Sequence, residues 1–146
     1  MLLKASFGLH EVPDANCRLL VTGGGLLLGH CATVARTVLL DSEERVLSLL
    51  GLVTVDDAHR GRGLGAELVS RMIDWQRNRG AAGLILNCGK DLVPFYEKRG
   101  FVRVSEQAVY ERDGRLVEDE DPVMLIVFRD PPSYRQYERV YLGADF

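Results

Sequence analysis

Apolar and polar positions run in short, strand-length patterns over the first third of the chain, switch to a spacing of three and four in its middle, and return to short runs afterwards. Residues 3–12 have the makeup of a strand, Pro13-Asp14-Ala15-Asn16 reads as a turn, and Gly23-Gly24-Gly25 reads as a flexible hairpin connection. Residues 26–40 are largely apolar and β-branched. Asp41-Ser42-Glu43-Glu44 then interrupts, and the pattern resumes over 46–55, so successive antiparallel strands are predicted.

The period changes after a glycine-rich stretch. Leu64, Leu68, Met72 and Trp75 recur on one side, with Glu67, Arg71, Asp74 and Arg77 on the other, and Gly80 follows: an amphipathic helix with a glycine close. Leu84-Ile85-Leu86 is a continuous apolar run, predicted as a buried strand beside the one ending at Val55, which makes a strand–helix–strand unit. Asp91 is expected to cap a second helix reaching Arg99, with Gly100 ending it and Phe101 packing back. Residues 102–104 begin another strand, Asp113-Gly114 is a hairpin turn signal, and 123–128 is the last clear strand. Beyond Pro131-Pro132 no element is predicted.

Length and composition then bound the function. A chain of 146 residues, 47% hydrophobic and 27% charged, is expected to form a single domain over 1–146 around one core. A net charge of -3 lacks the basic footprint of a nucleic-acid binder, so no nucleic-acid partner is expected. No apolar run has the roughly 20 residues needed to span a bilayer, and the opening Met1-Leu2-Leu3-Lys4 leads into polar residues, so no membrane partner and a cytoplasmic location are expected. Cys17, Cys31 and Cys88 are odd in number and widely spaced, which reads as reduced, buried thiols and no metal site. Cys88 stands beside the candidate site without a His or Asn in a nucleophile signature.

The candidate chemistry lies in Arg60-Gly61-Arg62-Gly63-Leu64-Gly65, between a strand and the first turn of the helix. Amides at a helix start have no intrahelical partners and attract anions, glycines let a phosphate approach them, and Arg60 and Arg62 add positive charge. Gly61-x-Gly63-x-x-Ala66 also matches a dinucleotide fingerprint, but Asp56-Asp57-Ala58-His59 separates strand from glycines and the next strand ends in Asn87 rather than an acid. A P-loop fails for lack of the Lys-Ser or Lys-Thr pair. The remaining plain reading is a turn that only joins strand to helix.

Arg60, Gly63 and Gly65 resemble the Arg/Gln-x-x-Gly-x-Gly/Ala motif of the GCN5-related N-acetyltransferase (GNAT) superfamily, and Phe95-Tyr96-Glu97-Lys98-Arg99-Gly100-Phe101 is similar to its second signature. The resemblance spans residues 26–128, with 131–146 as a tail. It implies an α/β (α+β) fold with a mixed, mostly antiparallel central sheet, a splayed parallel strand pair at the cofactor site and flanking helices. It implies acetyl-CoA as cosubstrate, its pyrophosphate on the amides of Arg60, Gly61, Arg62, Gly63, Leu64 and Gly65, and its pantetheine arm along Val53, Thr54 and Val55 like an added strand. Tyr96 corresponds to the residue that protonates the departing thiolate. Phe95 is expected to pack against the cofactor and Lys98 to reach its adenosine phosphates. A shorter similarity, through Gly29-His30-Cys31-Ala32, Val93-Pro94-Phe95-Tyr96 and the last six residues, points to the aminoglycoside 2′-N-acetyltransferase-like branch.

Two departures stand beside this resemblance. Gly51 occupies the position where many relatives carry a carboxylate that helps deprotonate the amine. The N-terminal region lacks the pair of helices expected to cover the acceptor, which leaves the acceptor site open or closed by a second copy in a homodimer. His30 is then the candidate base, because imidazole titrates near neutrality, with Glu11, Asp145 or the Phe146 carboxylate as alternatives acting through water. Asp56 and Asp57 read as helix-capping residues. The expected activity is direct transfer of an acetyl group from acetyl-CoA to the primary amine of a small molecule, against a noncatalytic CoA-binding module or an acetyltransferase acting on a protein amine.

Overall fold

The computed structural model describes residues 6–12 and 15–144, with side chains from residue 17 onward. Pro13 and Asp14 of the expected first turn, the side chain of Glu11, and Asp145 and Phe146 lie outside the described residues. In chain order the elements are β1 (Ser6–Val12), β2 (Ala15–Gly23), β3 (Leu26–Leu40), β4 (Glu43–Val55), α1 (Leu64–Asn78), β5 (Gly83–Asn87), α2 (Val93–Glu97), β6 (Val102–Ser105), β7 (Ala108–Arg112), β8 (Arg115–Asp119), β9 (Val123–Val127) and β10 (Val140–Ala144).

All ten strands join one mixed sheet in the order β6-β9-β5-β4-β3-β10-β7-β8, with β2 also on β3 and β1 on β2. Most pairings are antiparallel; β4 with β5 and β10 with β7 run parallel. This is an α/β fold of the expected kind, with helices on the sheet. Among the described residues the chain before α1 forms four strands and one 3-10 turn, Asp57–His59, and no helix is long and apolar enough to cross a membrane.

Helix α1 forms where the apolar stripe predicts it, but its register against the sheet differs in one place. Leu64, Leu68, Val69, Met72 and Ile73 are buried, and the next core position is Gln76, while Trp75 sits at the margin under Arg79. Burying each large apolar side chain of this stripe contributes about 1.5–3 kcal/mol. Gln76 is tolerated because both ends of its amide are bonded: Nε2 donates to Thr33 Oγ1 (2.6 Å) and Oε1 accepts from Ser48 Oγ (3.1 Å). A buried polar bridge therefore ties α1 to β3 and β4 and fixes where the start of α1 stands.

Two expectations are corrected. Asp91 does not cap the second helix: it lies in a 3-10 turn, Lys90–Leu92, and α2 begins at Val93 after Leu92 with no side-chain cap. With Pro94 in its first turn and Gly100 at φ 101°, α2 is held to five residues rather than reaching Arg99. The tail also contains a strand. Asp41 turns back under it, accepting from the Glu138 and Arg139 amides through Oδ1 (2.9 Å each) and donating its own amide to the Arg139 carbonyl, so that β10 inserts between β3 and β7.

The sheet separates two apolar clusters. One, under α1 and α2, includes Cys31, Leu50, Leu68, Met72, Leu86, Tyr96 and Phe101. The other, on the opposite face, includes Leu47, Leu49, Ile85, Ala108, Leu125, Val140 and Leu142.

Candidate functional site

The loop of residues 60–65 is shaped by two left-handed glycines, Gly61 at φ 80° and Gly63 at φ 75°. A side chain at either position strains the backbone, so glycine here serves the turn itself. Gly63 is the residue before α1 and makes no side-chain cap, and the first intrahelical bond is Glu67 N–H to the Gly63 carbonyl (3.0 Å). The amides of Leu64, Gly65 and Ala66 thus open the helix without intrahelical acceptors. Gly65 is different: it is helical, and a methyl added there would lie 3.6 Å from Val55 Cγ2 and 3.9 Å from Phe95 Cζ. Its missing side chain leaves a cradle bordered by Val55 and Phe95, beside the amides.

Arg62 is exposed on the loop, and Arg60 is largely exposed and pairs with Asp57 (3.0 Å). Asp56 bonds His59 Nδ1 (2.7 Å), and neither aspartate caps the turn that precedes the loop; they brace the loop's side chains instead.

Strand β4 leads into this loop through a bulge. His30 pairs with Thr54 but Ala32 pairs with Gly51, so Cys31 alone faces both Leu52 and Val53, and Leu52 adopts φ 56°. The bulge reverses the strand's faces: Ser48 and Leu50 point at α1 before it, Val53 and Val55 after it. On its other side β4 pairs with β5 only at Ser48 with Leu84 and Leu49 with Ile85. From residue 50 onward the two parallel strands part, leaving about 20 Å of β4 edge, six residues at roughly 3.3 Å each, unpaired with β5. Val53, Thr54 and Val55 lie on that edge.

His30 holds the bulge. An arginine carries only donors, so the contact of Arg18 Nη1 with His30 Nε2 (3.1 Å) makes Nε2 the acceptor; the proton sits on Nδ1, which donates to the Leu52 carbonyl (3.0 Å). Taking up a proton at Nε2 requires Arg18 to leave it.

Tyr96 is 7% exposed and stacks edge-on to Phe95 (5.0 Å between centroids) and Phe101 (5.6 Å). Burial, followed by the neighbouring Cys88 and Cys31 thiols, pushes its phenol up to about 12. Cys88 follows β5 and Cys31 lies on β3 opposite the bulge, and the three side chains share the buried cluster under α1 and α2. Burial likewise pushes Cys31 to about 12 and, with Asp121 and Asp91 adding to it, Cys88 to about 11, which leaves both thiols protonated. Lys98 is exposed at the end of α2, whereas the Arg99 guanidinium lies 5.2 Å over the Phe95 ring that borders the Gly65 cradle. Of Lys98 and Arg99, it is Arg99 that packs against that ring.

The opposite face of the fork carries groups that the sequence did not single out. A cavity of about 230 Å³ is lined by Leu49, Leu50 and Gly51 of β4, Asn87 of β5, Tyr110, Arg112 and Asp119 of the β7–β8 hairpin, and Leu142 and Ala144 of β10. The period-two spacing of Tyr110 and Arg112 about the Asp113-Gly114 turn was a legible signal for a shared face; the approach of that face to Gly51 was not. Among the described residues no group of three His, Cys, Asp or Glu side chains is arranged to hold a metal ion.

A family model described as an acetyltransferase (GNAT) domain matches residues 32–117, more than half of the chain. The chain is 47% identical over 55 residues to glucosamine 6-phosphate N-acetyltransferase 1 of Oryza sativa subsp. japonica, covering 38% of this chain and 33% of that protein. It is 41% identical over 64 residues to the Trypanosoma brucei brucei glucosamine 6-phosphate N-acetyltransferase, covering 44% and 40%. The matched segments thus span well under half of these curated relatives. Among solved structures, the fold is similar to a GNAT family N-acetyltransferase (YhbS) of Escherichia coli in complex with CoA, with a TM-score of 0.62 at 19% identity over 88% of this chain and 67% of that one.

Proposed function

We propose that this chain, which belongs to the GNAT acetyltransferase family, is an acyltransferase that takes acetyl-CoA as cosubstrate and passes the acetyl group directly to the primary amine of a small molecule. The observation that carries the reading is the junction of two features at one point: a helix start with free amides behind two left-handed glycines, and an unpaired strand edge leading into it. The first suits a pyrophosphate, the second an extended amide-bearing arm. The solved GNAT proteins crystallised with CoA or acetyl-CoA support the same donor.

In this reading the amides of residues 60–65 hold the pyrophosphate, with Arg60 and Arg62 at the rim, Arg99 and Lys98 reaching the adenosine side, and Phe95 walling the cradle at Gly65. Val53, Thr54 and Val55 pair with the pantetheine arm. The bound cosubstrate supplies an activated acetyl carbonyl and a thiolate leaving group. A phenol raised to about 12 stays protonated at physiological pH, so Tyr96 serves as a standing hydrogen-bond donor to the departing sulfur. His30, engaged at both nitrogens, acts in this reading as the clamp on the bulge rather than as the base. The curated relatives named for glucosamine 6-phosphate put phosphorylated amino sugars first among acceptors to try.

Thermal shift with CoA, followed by free-thiol release from acetyl-CoA across an amine panel, tests the reading. Stabilisation by CoA with amine-dependent thiol release is expected. Stabilisation without release by any amine favours a noncatalytic CoA-binding module, the reading to which Gly51 lends weight; no stabilisation overturns both.

A further inference from the structure

We propose that Asp119 supplies, from the β7–β8 hairpin, the carboxylate that position 51 lacks, and that the cavity it lines receives a small amine bearing an anionic group. The inference rests on the acetyl-transfer reading above.

The cavity reaches the strand fork from the side opposite α1. Gly51 lies on one arm of the fork and Asn87 at the end of the other, and both line the cavity. The β7–β8 hairpin is separated from β4 in the sheet by β3 and β10, so the sheet curls to bring the two together. Register sets Tyr110, Arg112 and Asp119 on one face of this hairpin, since Tyr110 pairs with Val117, Arg112 with Arg115 and Ala108 with Asp119. That shared face is the one turned to Gly51.

The Asp119 carboxylate is held in place from two sides. Oδ1 accepts from the Asp121 amide (3.1 Å), and Oδ2 faces Asn87 Nδ2 (3.5 Å), which ties it to the tip of β5 where the fork opens. Gly51 adds no side chain of its own to the cavity that this carboxylate's residue also lines. Arg112 lines the same cavity, and its guanidinium lies 5.2 Å over the Tyr110 ring. One carboxylate and one guanidinium in a small space complement an ammonium and an anion on one small molecule. About 230 Å³ falls below the usual range of ligand pockets, which begins near 300 Å³, and so favours a small molecule over a protein side chain with its flanking backbone.

The chemistry balances as follows. The ammonium gives one proton to Asp119, freeing its lone pair. The nitrogen bonds to the thioester carbonyl carbon as the carbonyl pair moves to oxygen. That pair then returns, the carbon–sulfur bond breaks, and its electrons leave on sulfur. A second nitrogen proton passes to the sulfur by way of the Tyr96 hydroxyl, and Asp119 releases its proton to solvent. One ammonium and one thioester give one amide, one thiol and one proton.

Asp119→Asn, Asp119→Glu and Arg112→Gln test this with three readouts: the thermal shift caused by CoA, the further shift caused by adding an amine to CoA-loaded protein, and kcat/KM for amines matched in size with and without an anionic group. Asparagine keeps an acceptor for the Asp121 amide, so Asp119→Asn is expected to keep the CoA shift, lose the amine shift and lower kcat/KM by about 100-fold or more. Asp119→Glu is expected to recover at least tenfold of that loss. Arg112→Gln is expected to raise KM about tenfold for anionic amines alone, an effect the size of one charged hydrogen bond. Asp119→Asn within twofold of the unaltered protein, or Asp119→Glu no better than Asp119→Asn, overturns this inference and leaves the transfer reading standing. No CoA shift, or no amine turned over by the unaltered protein, overturns both.

Discussion

Replacing Gly65 by alanine should stabilise the free protein and leave its hold on CoA, because the motif admits alanine here, whereas valine should weaken that hold. Gly65 is the second residue of α1 and has helical backbone, and a methyl there meets Val55 Cγ2 at 3.6 Å and Phe95 Cζ at 3.9 Å, both ordinary contact distances. With neither strain nor clash, the change gains up to about 1 kcal/mol of helix propensity, less in a first turn. For a chain of 146 residues that corresponds to a rise of up to about 2–4 °C in Tm. A valine carries two further methyls into the cradle beside the helix-start amides. At a CoA concentration of about 100 times Kd the ligand stabilises by about 2.7 kcal/mol, and a 100-fold loss of affinity in Gly65→Val cuts this to about 0.4 kcal/mol. Thermal denaturation of the unaltered protein and both variants, each with and without CoA, reads the two effects separately. A lower Tm for ligand-free Gly65→Ala refutes the claim that the backbone there is relaxed. An undiminished CoA shift in Gly65→Val refutes the claim that the cradle is the phosphate site.

Gly63→Ala should behave in the opposite way in the absence of ligand, because φ 75° costs a residue with a Cβ about 1–2 kcal/mol, so its Tm should fall by several degrees in the same assay. Gln76→Ala leaves Thr33 and Ser48 buried without their partner and opens a void under α1; a loss of about 2–4 kcal/mol is expected in urea denaturation, and a loss below about 1 kcal/mol would show that the bridge is incidental. Tyr96→Phe should keep the CoA shift while lowering thiol release about tenfold or more, and unchanged release removes Tyr96 from the chemistry. The same residue gives a pH signature. Its folded phenol ionises near 12 against an ordinary value of 10, so its contribution to stability is present below pH 10 and is lost as pH rises toward 12; the Tyr96→Phe protein should lose less stability across that window. Cys31 and Cys88, raised to about 12 and about 11, should react with a thiol reagent at pH 7.5 much more slowly in the native protein than after unfolding.

Local signals in the chain were read well where one element decides its own form. The paired glycines at 24 and 25, the Asp113-Gly114 turn and the three-and-four spacing of α1 each carry their conformation in a few adjacent residues. Elements decided by distant partners were not legible. Val140–Ala144 is a short segment whose strand form comes from β7, some thirty residues upstream, and from the Asp41 turn that anchors residues 138 and 139. Gln76 reads as a polar helix position until Thr33 and Ser48 are opposite it. His30 reads as a candidate base or as a hydrogen-bonded histidine at a strand end until Arg18 and the Leu52 carbonyl are seen on its two nitrogens. The proposed donor side, made of one loop and one following helix, was open to sequence reasoning; the proposed acceptor side, drawn from β4, β5, β7, β8 and β10, was not.

The bulge at Leu52 joins these two sides. An unbulged β4 would carry Leu52 and Thr54 on the α1 face and send Val53 and Val55 to the other, so Val55 would no longer border Gly65. The fork depends on it as well, because a strand that kept its alternation and its straight course would continue to pair with β5 beyond Leu49. A non-glycine residue at φ 56° costs of order 1–3 kcal/mol, which persists only where neighbours hold it. The Leu52 carbonyl, turned out of the ladder, is held by His30, and His30 is held by Arg18 on β2. The β2 hairpin arm thus contributes, through the bulge, to the proposed cofactor loop. His30→Ala should therefore reduce the CoA-induced thermal shift, with His30→Gln, which can donate to the same carbonyl, retaining more of it. Equal CoA shifts in His30→Ala and the unaltered protein would mean that the bulge stands without its clamp.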